Sequence, residues 1–198
     1  ETEVFKQSVL AIFSQMNNMT SGCDKYFADN LASAIKTLIT SGSVTSSDDV
    51  GVIGSNSYKG AGTGSMTIND SPLATNLFST FTKDKTTDDE IADGIANNVD
   101  TACSASNTVS TTTVGIQTFP NGSTSPYSGT GKGTFSGTKS TISSALKIAF
   151  NTMSHMTSGG NEVFAAALAN SISSYLTGGS ISITLQAPIV GSATGKIA

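Results

Sequence analysis

A large apolar residue followed by alanine, the same pair four residues on, then a third apolar residue: this spacing occurs three times in the chain. The copies are Phe27-Ala28, Leu31-Ala32 and Ile35; Ile91-Ala92, Ile95-Ala96 and Val99; and Phe164-Ala165, Leu168-Ala169 and Ile172. Residues at this spacing share one side of an α-helix, so each copy predicts a helix with a wide apolar face. Three copies in 198 residues point to tandem repeats, each too small to bury a sufficient core by itself. The repeats must therefore pack on one another.

The flanks repeat as well. A first helix is predicted from Phe5, Val9, Ile12, Phe13 and Met16, from Leu73, Leu77, Phe78 and Phe81, and from Ile142, Leu146, Ala149, Phe150 and Met153. The break Met19-Thr20-Ser21-Gly22 returns residue for residue as Met156-Thr157-Ser158-Gly159. Helix-start signals are Ser21 with Asp24, Ser71 before Pro72, and Thr86-Thr87-Asp88-Asp89-Glu90 as a capping box; Gly42 is placed to end the helix of Phe27 in a left-handed conformation. After each helix pair comes a tail of short strands. The first holds Val44, a polar turn with Asp48 and Asp49, then Tyr58-Lys59-Gly60-Ala61-Gly62-Thr63-Gly64-Ser65-Met66. The second repeats that glycine alternation as Tyr127 to Phe135, and the third has Ile181, Ile183 and Leu185 before Gly191 to Ile197. The expected fold is α+β: three tandem helix-helix-β units, 1-70, 71-138 and 139-198, packed with pseudo-threefold symmetry. A ring is preferred over a row because no repeat shows the polar outer face that caps a linear array.

Composition removes several functions. Charged residues are 12% of the chain, the net charge is −4, and all ten basic residues are lysines. They are dispersed, so the cationic stripe that a nucleic-acid backbone requires is missing. No apolar run has the length of a membrane span, and the opening Glu1-Thr2-Glu3 lacks the basic start of a signal peptide. Of the two cysteines, Cys103 falls on a helix face where the other copies have Ile39 and Leu176, which predicts a small core residue.

The sequence holds no complete motif for chemistry. Gly129 to Gly133 with Lys132 fails as a phosphate loop, because position 126 is Pro and Lys132 is followed by Gly133. The alternating glycines instead let a strand pass close to another backbone or make a flexible arm. His155 is the single histidine and lies near a helix end, where terminal carbonyls are its expected partners. Asp48-Asp49 lies in a loop without calcium-loop spacing, and Asp88-Asp89-Glu90 has a sufficient structural role as cap and dipole partner of the helix it opens. The sequons at Asn18, Asn69 and Asn121 matter only in a glycosylating pathway. Met16, Met19, Met153 and Met156 are expected as core filler, with a partner-binding groove as the alternative. No catalytic residue, cofactor or metal is expected.

The unit as a whole resembles small virion structural proteins encoded by tailed bacteriophages. The carriers are Phe164-Ala165, Leu168-Ala169, Ile172 and Tyr175-Leu176, then Ile181 and Gly191 to Ile197. The resemblance implies a non-enzymatic capsid decoration protein or another head-tail component. Its place would be the virion, assembled in the host cytoplasm, and its partners capsid, neck or tail subunits, with self-association left open. The alternative is a secreted or surface adhesion module. Tyr58, Lys59, Tyr127, Lys132, Asp48 and Asp49, read as loop residues, are the candidate contacts in either case.

Overall fold

The computed structural model describes residues 1–84 and 86–198, with the backbone alone at Asp48, Asp49 and Val50. Each repeat is a helix pair followed by a β-hairpin. The first comprises α1 (Thr2–Met16), α2 (Cys23–Ser41), β1 (Ser43–Ile53) and β2 (Asn56–Met66); the second α3 (Asp70–Thr82), α4 (Asp88–Cys103), β3 (Val109–Thr118) and β4 (Thr124–Ser136). The third comprises α5 (Ser140–Met153), α6 (Gly160–Gly178), β5 (Ser180–Leu185) and β6 (Val190–Ile197). The chain is thus α+β, with one helix-helix-strand pattern used three times. Its elements gather by type into two compact units: the helices in residues 1–39, 69–102 and 138–178, the strands in the remainder.

In the helical unit the three repeated faces are the core. Leu31, Ala32 and Ile35 of α2, Ile95 and Val99 of α4, and Leu168 and Ile172 of α6 have no exposed surface. The first helices bury fewer residues, such as Phe5 and Val9, Leu73 and Leu77, and Ile142 and Leu146. Each first helix bonds to the second helix of the repeat before it: Lys36 of α2 to Asp70 of α3 at 3.0 Å, and Lys147 of α5 to Asp93 of α4 at 2.9 Å. The first helix of the chain meets the last, through Thr2 and Ser173 hydroxyls 2.8 Å apart. In the helix alignment Thr2 corresponds to Asp70, and Ser173 to Lys36.

Local signals explain several boundaries. At the start of α4 the Thr87 amide donates to the Glu90 carboxylate at 2.9 Å, and the Glu90 amide donates to the Thr87 hydroxyl at 3.2 Å, the reciprocal capping box. Thr87→Ala is expected to cost about 1 kcal/mol, measured by urea unfolding. The cap of α3 lies earlier than Ser71: the Asn69 side chain accepts from the Ser71 amide at 3.1 Å, and Pro72 falls inside the first turn, where no amide hydrogen is needed. Gly42 is not left-handed, because α2 passes almost directly into β1. The left-handed glycines are Gly22 and Gly159, ahead of α2 and α6, and Gly54 and Gly122 in the hairpin turns.

The strands close a barrel in the order β1-β2-β3-β4-β5-β6, every neighbour antiparallel and β6 paired back to β1. The expected polar turn at Asp48-Asp49 is instead part of β1. That strand keeps partners on both sides, and a shift of register between Asp48 and Gly51 takes up the irregularity. Inward residues alternate with outward ones. Val44, Val109 and Ile181 stand at corresponding inward places on the odd strands, and Met66, Phe135 and Ile197 on the even ones. The alternate glycines of β2, β4 and β6 share the parity of those inward residues. A Cβ at Gly131 would lie 2.6 Å from the Ile183 side chain, and one at Gly64 would strike the Ser110 carbonyl. Glycine is required there by close approach, of a side chain in one case and of backbone in the other.

Candidate interaction site

The six expected contact residues do not form a loop cluster. Tyr58 lies in β2 and is 2% exposed, its ring 6.2 Å from that of Tyr127 in β4 and nearly perpendicular to it. Tyr58 has the parity of Met66, so the glycines around it belong to a strand and its ring points inward. The corresponding residue of the third repeat is Ile189, fully buried, whose side chain lies against Gly129 and Gly51. Tyr58 is thus a packing residue of the barrel interior, and Tyr127, half-buried, packs its ring against it. Lys59 and Lys132 are outward and exposed on β2 and β4. They pair with Ile116 and Ser110 of β3, which places them about 20 Å apart along that strand. The side chains of Asp48 and Asp49 lie outside the described residues.

Exposed apolar residues lie elsewhere on the barrel. Val114 and Ile116 of β3 are 62% and 53% exposed, and Val52 and Val190, directly paired across β1 and β6, are also exposed. The signal was present in the sequence: Val114 and Ile116 have the opposite parity to Val109, so one strand carries apolar side chains on both faces.

In the helical unit, a concavity of about 220 Å³ is lined by five phenylalanines contributed by all three repeats. Phe13, Phe81 and Phe150 hold corresponding places on the first helices; Phe27 and Phe164 correspond on the second, with Ile91 in the middle repeat. Phe13 stacks on Phe27 at 5.2 Å, Phe27 meets Phe81 at 5.1 Å, and Phe150 stacks on Phe164 at 5.7 Å. The α2 and α6 rings also approach each other, with centroids 6.2 Å apart. Met153 lines the same space, while Met156, expected as core filler, is exposed. Aromatic faces and one thioether favour apolar contact here, and Asn161 is the polar residue of the lining.

The polar cluster between α4 and α5 is the arrangement closest to a catalytic one. Asp93 accepts hydrogen bonds from the Ser143 hydroxyl and the Lys147 ammonium. The Ser143 bond, then that of Lys147, holds the Asp93 carboxyl below its ordinary range, and the Asp93 bond raises Lys147 above its own. A protonated lysine cannot take the proton of Ser143, so the group works as an ion pair between helices. Because the folded pKa of Asp93 is lowered, its stabilisation is complete above about pH 4 and is lost as pH falls through the folded value. The raised pKa of Lys147 gives stabilisation that is complete below about pH 10 and is lost as pH rises through the folded value. Asp93→Asn is expected to flatten both limbs of a stability-pH curve measured by denaturant unfolding.

His155 is exposed; its Nδ1 donates to the Asn151 carbonyl at 2.8 Å, the helix-end partner expected of it. Cys23 and Cys103 are not joined in a disulfide, and Cys103 is fully buried. Among the described residues, no group of His, Cys, Asp or Glu side chains is placed to hold a metal ion, and no helix is long and apolar enough to cross a membrane. No family model, curated protein or solved structure matches the chain.

Proposed function

We propose that the chain is a non-enzymatic structural component of a tailed-phage virion, a capsid decoration protein or a head-tail component that bridges neighbouring subunits. The observation that carries this reading is the closing contact of the helical series. Thr2 and Ser173 join α1 to α6 at the places where Asp70 and Lys36 join α3 to α2, a contact that three units stacked in a row would leave unmade. We infer that the repeats are disposed about a pseudo-threefold axis in each compact unit. The three hairpins of the closed barrel and the convergence of corresponding phenylalanines support the same disposition. A trimer-like object in one chain suits a local threefold site and meets its partner without first assembling. The exposed Val114 and Ile116 and the phenylalanine-lined concavity are the surfaces it offers to capsid, neck or tail subunits.

The test is cryo-electron microscopy of purified particles made with and without the protein, together with their thermal stability. Density that disappears on deletion, with earlier particle disruption, is the expected result. Absent density and unchanged stability would overturn the reading.

One observation favours the adhesion alternative: Thr45, Thr63, Thr112 and Thr130 are all exposed and form a lateral row across β1 to β4. A glycan-binding module would use this hydroxyl row in place of the buried Tyr58. Glycan binding that is lost on Thr63→Val with Thr112→Val, and particles devoid of the protein, would select it.

A further inference from the structure

We infer that the barrel interior holds buried water, bound by the hydroxyls of Tyr58, Thr111 and Thr113. All three oxygens are buried without a hydrogen-bonding partner in the protein, on residues 2%, 2% and 0% exposed. A buried hydroxyl without a partner is costly, and bound water is its ordinary remedy.

The register explains why the protein supplies no partner. Thr111 lies between Gly64 of β2 and Gly131 of β4, and Thr113 between Gly62 and Gly129. Inward threonines in a sheet commonly bond to a Thr or Ser directly across the strand. Here each cross-strand neighbour is a glycine. The two threonines are about 7 Å apart along β3, too far to serve one another. Both hydroxyls turn toward β4, standing 2.9 Å and 3.5 Å from where a Cβ would be at Gly131 and Gly129. The Tyr58 hydroxyl reaches along β2 to Gly60, one inward place from Gly62.

The glycines that remove partners also remove bulk. At the level of Thr111 the other odd strands contribute Ser46 and Ile183, smaller in sum than the layer of Met66, Phe135 and Ile197. Apolar residues bound this region along the strands, with Val109 and Phe135 on one side and Ile189 on the other. Hydroxyls both donate and accept, and no described inward side chain of the barrel is charged. A neutral molecule that also donates and accepts is therefore the fitting ligand, and water is the one small enough.

A crystal structure at a resolution that shows ordered water tests this, paired with thermal unfolding of Thr113→Val, Thr113→Ser and Thr111→Val/Thr113→Val. The expected result is water density at hydrogen-bonding distance from Thr113 and at least one of the other two hydroxyls, absent in the double variant. Thr113→Val should then lower Tm by a few degrees, roughly what loss of one hydrogen bond does in a chain of this length. Thr113→Ser, which keeps the hydroxyl, should retain the water. A dry interior with Thr113→Val raising Tm would overturn the proposal, as would density with the short contacts of a metal ion.

Discussion

Gly64→Val is expected to destabilise the chain by about 3 kcal/mol or more, enough to remove a large part of the stability of an ordinary domain. A Cβ at that position would strike the Ser110 carbonyl and lie 2.8 Å from the Thr111 Cα, both part of the adjoining strand. Backbone cannot swing aside as a side chain can. Relief would require β2 and β3 to separate, and Gly64 is paired with Thr111 inside that ladder, with Ser65 and Met66 also paired beyond it. Gly178→Ala is the matching control, since nothing lies within 4 Å of a Cβ there and its φ is not in the left-handed range. It should change stability by less than about 0.5 kcal/mol. Urea unfolding followed by circular dichroism measures both, and a Gly64→Val protein with wild-type stability would show that the β2-β3 approach is wrong.

Leu168→Ala is the second large effect, expected at about 3 kcal/mol within the range of 2–5 for buried leucines. Leu168 has no exposed surface and occupies the middle of the repeated face, with Ala165 and Ala169 beside it also fully enclosed. Small neighbours cannot extend into the space the side chain leaves. Leu31→Ala and Ile95→Ala truncate the corresponding residues of α2 and α4, which are equally buried, so costs of similar size should follow. Ile148→Ala removes a comparable side chain that is 69% exposed on α5, and should cost under about 0.5 kcal/mol. Denaturant unfolding of the four variants measures these differences.

The helices were legible because their burial is one-sided. Phe27, Leu31 and Ile35, with the alanines between them, leave no other period for the chain to follow, and tertiary packing agrees with it. The strands were legible only in part. Ile181, Ile183 and Leu185 alternate openly, whereas β2 and β4 place glycine at half of their inward positions, where a strand ordinarily shows its apolar signature. Tyr58 and Tyr127 therefore look like residues of flexible loops until Met66 and Phe135 set the parity of each strand. Asp48-Asp49 looks like a turn because the run from Thr45 to Asp49 holds no apolar residue to mark a strand. The grouping of helices with helices and strands with strands is a property of distance, and a tandem pattern along the chain is silent about it. The phenylalanine-lined concavity was present as the recurring positions of Phe13, Phe81 and Phe150, yet no local spacing says that residues so remote converge.

Closure of the barrel by β6 on β1 also sets an order in time. Val52 is paired with Val190, and Ser43 with Ala198 through two backbone hydrogen bonds. On a translating ribosome, β1 emerges on the order of ten seconds before the strand that completes it. Throughout that interval one edge of β1 is unpaired, a template for any other extended chain. The first hairpin must therefore survive synthesis half-finished, and crowded polysomes, where several nascent chains expose the same edge together, are where this protein is most exposed to misassembly.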